Sequence, residues 1–153
     1  MVKMGAALVI CLLGLLGMAH ASDKFTVTGK VYCDNCAAGF PTRISTPIPG
    51  AKVALHCTTT AGEKTLYTEG LTDKDGKFSI PAQGERPQEL CKAEVLSSPD
   101  AKCNIPTQSS HGPVYLTHNN GINSDVRITG PFSFQSREKQ GECAAVMAEY
   151  NLY

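Results

Sequence analysis

The sequence predicts an all-β fold: a small seven-stranded β-sandwich or barrel, fastened by three disulfides and ending in a short C-terminal helix. Three observations carry this reading. Short runs of alternating apolar and polar residues recur between turns rich in Pro, Gly, Asn and Asp. Six cysteines remain once an N-terminal export segment is set aside, and an even count in a secreted chain reads as three bridges. Only the tail carries helical periodicity.

The export segment comes first. Lys3 supplies a positive start, Ala6 to Met18 is an uncharged apolar run, and Ala19-His20-Ala21 is the small-x-small pattern of a cleavage site. The expected cut falls between Ala21 and Ser22, dividing the chain into a signal peptide, 1–21, and a β domain, 22–153. A membrane anchor is the alternative, but the run is shorter than the roughly 20 apolar residues that cross a bilayer. No later stretch is apolar enough for stable membrane insertion. Removing 21 of the 153 residues leaves 132, enough for one domain with its own core. The chain has 14 basic and 14 acidic residues, and only Lys3 leaves with the signal. Such near-neutrality argues against nucleic acid or an anionic membrane as partner, since both recruit a basic excess.

The elements follow in order. Phe25 to Cys33 alternates, with Phe25, Val27 and Val31 on one face. Ala38 to Gly50 holds three prolines and reads as a loop. Ala51, Val53, Leu55 and Cys57 share a face of a second strand. Thr65 to Thr68 runs towards Asp75-Gly76, a strong hairpin-turn signal, and Phe78 and Ile80 alternate after it. Pro81 to Pro87 reads as another loop. Cys91, Ala93 and Val95 share a face of the next strand, Leu90 to Leu96. Weaker strand signals lie at Val114–Leu116, Val126–Ile128 and Phe132–Phe134, with a turn marker at Asn120-Gly121. In the tail, Cys143, Val146, Met147 and Tyr150 fall on one helical face.

Residue chemistry gives no case for an enzyme. Cys33-Asp34-Asn35-Cys36 is a C-x-x-C, but a zinc ribbon needs a second close pair, and Cys57, Cys91, Cys103 and Cys143 stand alone. A redox dithiol needs a helix starting at the motif, whereas here a strand ends and a proline-rich loop begins. Counted from Asp73, the glycine and glutamate positions of a calcium loop are Phe78 and Gly84, so that motif fails. His56, His111 and His118 form no metal-ligand spacing. Ser109-Ser110-His111 are adjacent, which is not triad geometry. No cofactor is implied, and no N-x-Ser/Thr sequon is present.

Gly29-Lys30-Val31-Tyr32-Cys33-Asp34-Asn35-Cys36 resembles the signature of the pollen Ole e I allergen and extensin-like family of plants, G-x-V-Y-C-D-x-C. The signature positions are Gly29, Val31, Tyr32, Cys33, Asp34 and Cys36. Ala37 stands where the family usually has Arg, ahead of Ala38-Gly39-Phe40. Further matching pieces are Ile48-Pro49-Gly50-Ala51, Thr72-Asp73 with Gly76, Ser98-Pro99-Asp100 before Cys103, Leu116 to Ile122, and Gly130-Pro131-Phe132-Ser133-Phe134. The resemblance implies a β-barrel or sandwich with bridges Cys33–Cys103, Cys36–Cys143 and Cys57–Cys91. By spacing alone, six cysteines allow 15 pairings. The strand phases place both Cys57 and Cys91 inward.

The family resemblance implies a secreted plant protein linked to pollen tubes, cell walls and growth, without a shared enzymatic activity. Three functions are weighed. The leading one is a non-enzymatic extracellular protein of the plant cell wall (apoplast), binding a wall polysaccharide or a wall protein. The second is an inhibitor of an extracellular hydrolase, presenting Ala38–Gly50 or Pro81–Pro87 as a rigid loop. The third is a thiol oxidoreductase using Cys33 and Cys36, which requires free thiols.

Overall fold

The computed structural model describes residues 23–150. The proposed signal peptide and its Ala21/Ser22 cut lie outside them. Within the described residues ten strands form two sheets: β1 (Lys24–Asp34), β2 (Thr46–Pro47), β3 (Lys52–Thr58), β4 (Lys64–Leu71), β5 (Lys77–Gln83), β6 (Leu90–Ser97), β7 (Cys103–Pro106), β8 (His111–Val114), β9 (Val126–Ile128) and β10 (Phe132–Ser136). A helix, α1 (Cys143–Glu149), follows them.

β1 organises the first sheet. Its early half pairs antiparallel with β5, Lys24 opposite Gln83 through Lys30 opposite Lys77, and parallel with β9. Its later half pairs antiparallel with β2 and parallel with β10, which in turn pairs with β7. The second sheet runs in the order β4-β3-β6-β8. The alternation of Phe25, Val27 and Val31 on β1, Val53 and Leu55 on β3, and Ala93 and Val95 on β6 turns those residues into one buried layer between the sheets. Phe78, Phe132 and Phe134 complete it. Burying each of these valine, leucine and phenylalanine side chains contributes about 1.5–3 kcal/mol.

Four expectations change. Asp75-Gly76 does form a tight turn, closed by the Asp73 amide donating to the Lys77 carbonyl at 2.8 Å. It does not join paired strands, because β4 belongs to one sheet and β5 to the other. It is the corner where the chain crosses between layers. Pro81 lies inside β5, opposite Thr26, rather than opening a loop. Among the described residues β5 pairs only with β1, so a residue without an N–H is tolerated along its other edge. The strand read at Val114–Leu116 sits upstream, at His111–Val114, while Leu116 remains buried in the following loop. β2 and β7 were not legible: β2 has two residues, and in β7 only Cys103 is buried while Ile105 faces water.

Candidate functional site

The signature builds a structural knot before it builds any surface. Asp34, 1% exposed, ends β1 and turns its carboxylate back over the chain. Oδ1 accepts the amides of Cys36 at 3.3 Å and Ala38 at 3.0 Å, and Oδ2 accepts that of Gly39 at 2.8 Å. This folding-back puts Ala37 at φ 54°, the left-handed region. Asn35 donates from Nδ2 to the Ile44 carbonyl at 2.7 Å, tying down the far side of the same loop.

Cys33 and Cys36 then diverge. Cys33 bonds to Cys103 at the start of β7, and Cys36 bonds to Cys143 at the start of α1. Neither sulfur is a thiol, so the C-x-x-C is not a dithiol. Cys57 and Cys91 are direct cross-strand neighbours on β3 and β6 and form the third bridge. Glu89 lies beside that bridge, the one three-group cluster with metal-ligand proximity among the described residues. Bridged sulfurs supply no thiolate to a metal. The helix is held further by Arg43, whose guanidinium reaches Glu149 at 2.9 Å and Glu142 at 3.3 Å, and by Phe40 edge-on to Tyr150.

Gly29 has a separate reason. A Cβ there would stand 2.4 Å from the Thr129 carbonyl oxygen and 2.6 Å from the Phe78 ring. Only glycine lets β5 and the chain after β9 close against β1 at this point. Two residues on, the Val31 amide donates to the Gly76 carbonyl at 2.7 Å, docking the sheet-crossing corner onto the signature strand. Burial holds the Tyr32 phenol above its ordinary range, with the Asp34 charge adding to this and the Ser133 hydrogen bond opposing it.

Beside this knot lie two open grooves with a common rim. The first, about 1100 Å³, is lined by Gly29, Val31 and Tyr32 of the signature together with Phe78 and Leu71. The second, about 800 Å³, lies along β8 and β9 and is walled by Tyr115, Ile122 and Val126. Residues Ile128 to Pro131 line both. Ile128 is 83% exposed, and Leu71 and Tyr115 are exposed as well. Single exposed apolar residues are ordinary, whereas several bordering adjoining grooves mark an interaction face.

Sequence periodicity missed the residue that inverts this rim. In Val126-Arg127-Ile128 the two aliphatics point out and Arg127 is buried, 4% exposed. Its guanidinium lies 4.6 Å from the centre of the Phe25 ring. It donates to the carbonyls of Tyr115, Thr117, Ser124 and Val126, so the loop before β9 folds around it. Alternation cannot reveal this, because a buried Arg needs carbonyl partners that only the folded loop provides.

The remaining singled-out residues have local roles. Asp73 accepts the Asp75 and Lys77 amides, which hold its carboxyl below the ordinary range, so the would-be calcium loop is a self-capped turn. Thr107 caps a single 3-10 turn, Gln108–Ser110, and His111 opens β8. His56 pairs with Glu94 at 3.3 Å, yet its ring is held below the ordinary histidine range, chiefly by burial.

Residues 23–151 match the family described as "Pollen protein Ole e 1 like". The chain belongs to this family. It is 37% identical over 148 residues to an Olee1-like protein of Betula pendula, and 40% identical over 150 residues to pollen allergen Che a 1 of Chenopodium album. Each alignment covers 94% of this chain and 89% of the relative. The fold is also that of the crystal structure of the major plantain pollen allergen Pla l 1, with a TM-score of 0.70 at 26% identity. That alignment covers 78% of this chain and 99% of the other.

Proposed function

We propose that this Ole e 1-like chain is a secreted, non-enzymatic plant protein of the extracellular space and cell wall. It acts in pollen-tube or tissue growth by binding a wall polymer or a wall protein. Export proceeds by removal of residues 1–21, leaving the domain that starts at Ser22. The observation that carries the reading is the double groove, whose shared rim presents Ile128 and whose walls are largely apolar. A surface of that kind, next to strands stiffened by three bridges, suits recognition without ordering a mobile loop.

Retention on isolated wall polysaccharides and on purified wall glycoproteins tests the reading, with Ile128→Asp as the variant. Burying an exposed Ile in an interface is worth about 1.5–3 kcal/mol, so the variant is expected to bind roughly tenfold or more weakly. Its unfolding midpoint is expected to stay at the wild-type value, because Ile128 touches water rather than core. A wild-type protein retained by neither material counts against wall binding, and an unaffected variant counts against the groove. Inhibition of an extracellular hydrolase by the wild-type protein would move the reading to an inhibitor. N-terminal sequencing of the protein recovered from apoplastic fluid is expected to begin at Ser22.

A further inference from the structure

His118 stands in the loop between β8 and β9 with its ring stacked on the buried Phe25 side chain, centroids 4.8 Å apart. Its Nδ1 is 2.8 Å from Glu85 Oε1 and its Nε2 is 3.0 Å from Asp125 Oδ1. Its backbone amide donates to the same Glu85 oxygen at 2.7 Å. A neutral imidazole carries one N–H, so it can donate to only one of two carboxylates. The second nitrogen would then set a lone pair against a negative oxygen. The arrangement is satisfied on both sides only by the imidazolium.

The three partners come from different parts of the fold. Glu85 follows β5, and Asp125 immediately precedes β9, where its carbonyl accepts the Thr26 amide of β1 at 2.9 Å. The other charged group at this place is Arg127, which also lies over Phe25 but is committed to loop carbonyls. Because Arg127 holds the carbonyls of Thr117 and Ser124, the stretch free to move without breaking its bonds is 118–123. That stretch carries Ile122, a wall of the second groove.

We propose that His118 is a protonation-controlled clasp: as the imidazolium it pins residues 118–123 against Glu85 and Asp125, and loss of the ring proton releases them and opens that wall of the groove. The hydrogen bonds to Asp125 and then Glu85 raise the His118 pKa above the ordinary value of 6.5, against the opposing effect of desolvation. A raised folded-state pKa contributes stabilisation that is fully present below the unfolded value and is lost as pH rises through the folded one. The clasp is therefore closed in mildly acidic solution and opens on the alkaline side of 6.5. Glu85, held below its ordinary range by the His118 amide and ring, keeps it closed well into acid. The device does not depend on what occupies the groove.

The test is hydrogen-exchange protection of residues 119–123 in the intact bridged protein between about pH 5.5 and 8.5, alongside an NMR titration of the His118 ring. Protection factors corrected for intrinsic exchange are expected to fall roughly three- to tenfold, with the midpoint of the fall coinciding with the ring titration. His118→Gln is expected to show the released level throughout and no pH step. Asp125→Asn, which keeps the ring, is expected to move the titration midpoint down. Protection that is independent of pH in the wild type, or a step that persists in His118→Gln, overturns the clasp. So does a ring that titrates at or below 6.5.

Discussion

Asp34 offers the most direct test of what the signature does. In Asp34→Asn the side chain keeps its shape but has one oxygen. That oxygen can stay with the Cys36 and Ala38 amides, leaving the new NH2 facing the Gly39 amide, or serve Gly39 and oppose the other two. At least one hydrogen bond to a carboxylate is lost, worth about 1.5–3 kcal/mol. Asp34→Ala removes all three. The Ala38 and Gly39 amides lie near the surface, where water can replace the carboxylate, but the Cys36 amide is enclosed. The expected cost for alanine is therefore about 3–4 kcal/mol rather than three full bonds. Equilibrium urea unfolding with the bridges intact measures both. With a slope of about 1–3 kcal/mol per molar, Asp34→Asn should lower the midpoint by about 1 M. The loop from Ala37 to Pro47 should also become the first site cut by a protease. An alanine variant within about 0.5 kcal/mol of wild type would refute the reasoning, since it would mean that the three amides gain nothing from Asp34.

Two further substitutions probe the same strand and its anchor. Gly29→Ala should destabilise by about 1–3 kcal/mol through overlap with the Thr129 carbonyl and the Phe78 ring. The sign is diagnostic, because chain entropy alone would make alanine stabilising by about 0.5–1 kcal/mol; a raised thermal midpoint would disprove the packing argument. Replacing Cys36 and Cys143 together by serine should cost about 3–4 kcal/mol, since with Cys33–Cys103 in place the bridge closes a loop of roughly 40 residues. Far-UV circular dichroism should retain the sheet signal, because α1 packs outside the two sheets, and a spectrum without sheet would contradict that separation.

How much could be read in advance differs from element to element. β3 and β6 were legible because one face of each is buried, so alternation reports the pleat and puts Cys57 and Cys91 on the inner side. α1 was legible because Cys143 and Val146 recur at helical spacing. At Asp75-Gly76 the local geometry was readable but its consequence was not. The turn is tight in the way the residues require, yet the strands on either side are captured by different sheets through contacts far along the chain. Pro81 departs from its expected loop for a related reason: proline disrupts a central strand but not an edge, and edge position is a property of the assembled sheet.

Local sequence settles the class of fold, through strand-length alternation and six cysteines, and the family, through six signature positions within the eight residues from Gly29 to Cys36. These are local quantities, set by pleat, turn chemistry and composition, and they survive without knowledge of any partner. The tertiary structure alone decided that Asp34 gathers three amides, that Arg127 turns inward, and that Ile128 is left on the rim of two grooves. It also placed His118 between Glu85 and Asp125. Each depends on groups distant in sequence meeting in one place, where a buried charge is satisfied or an apolar side chain is left uncovered, and periodicity carries no record of such meetings.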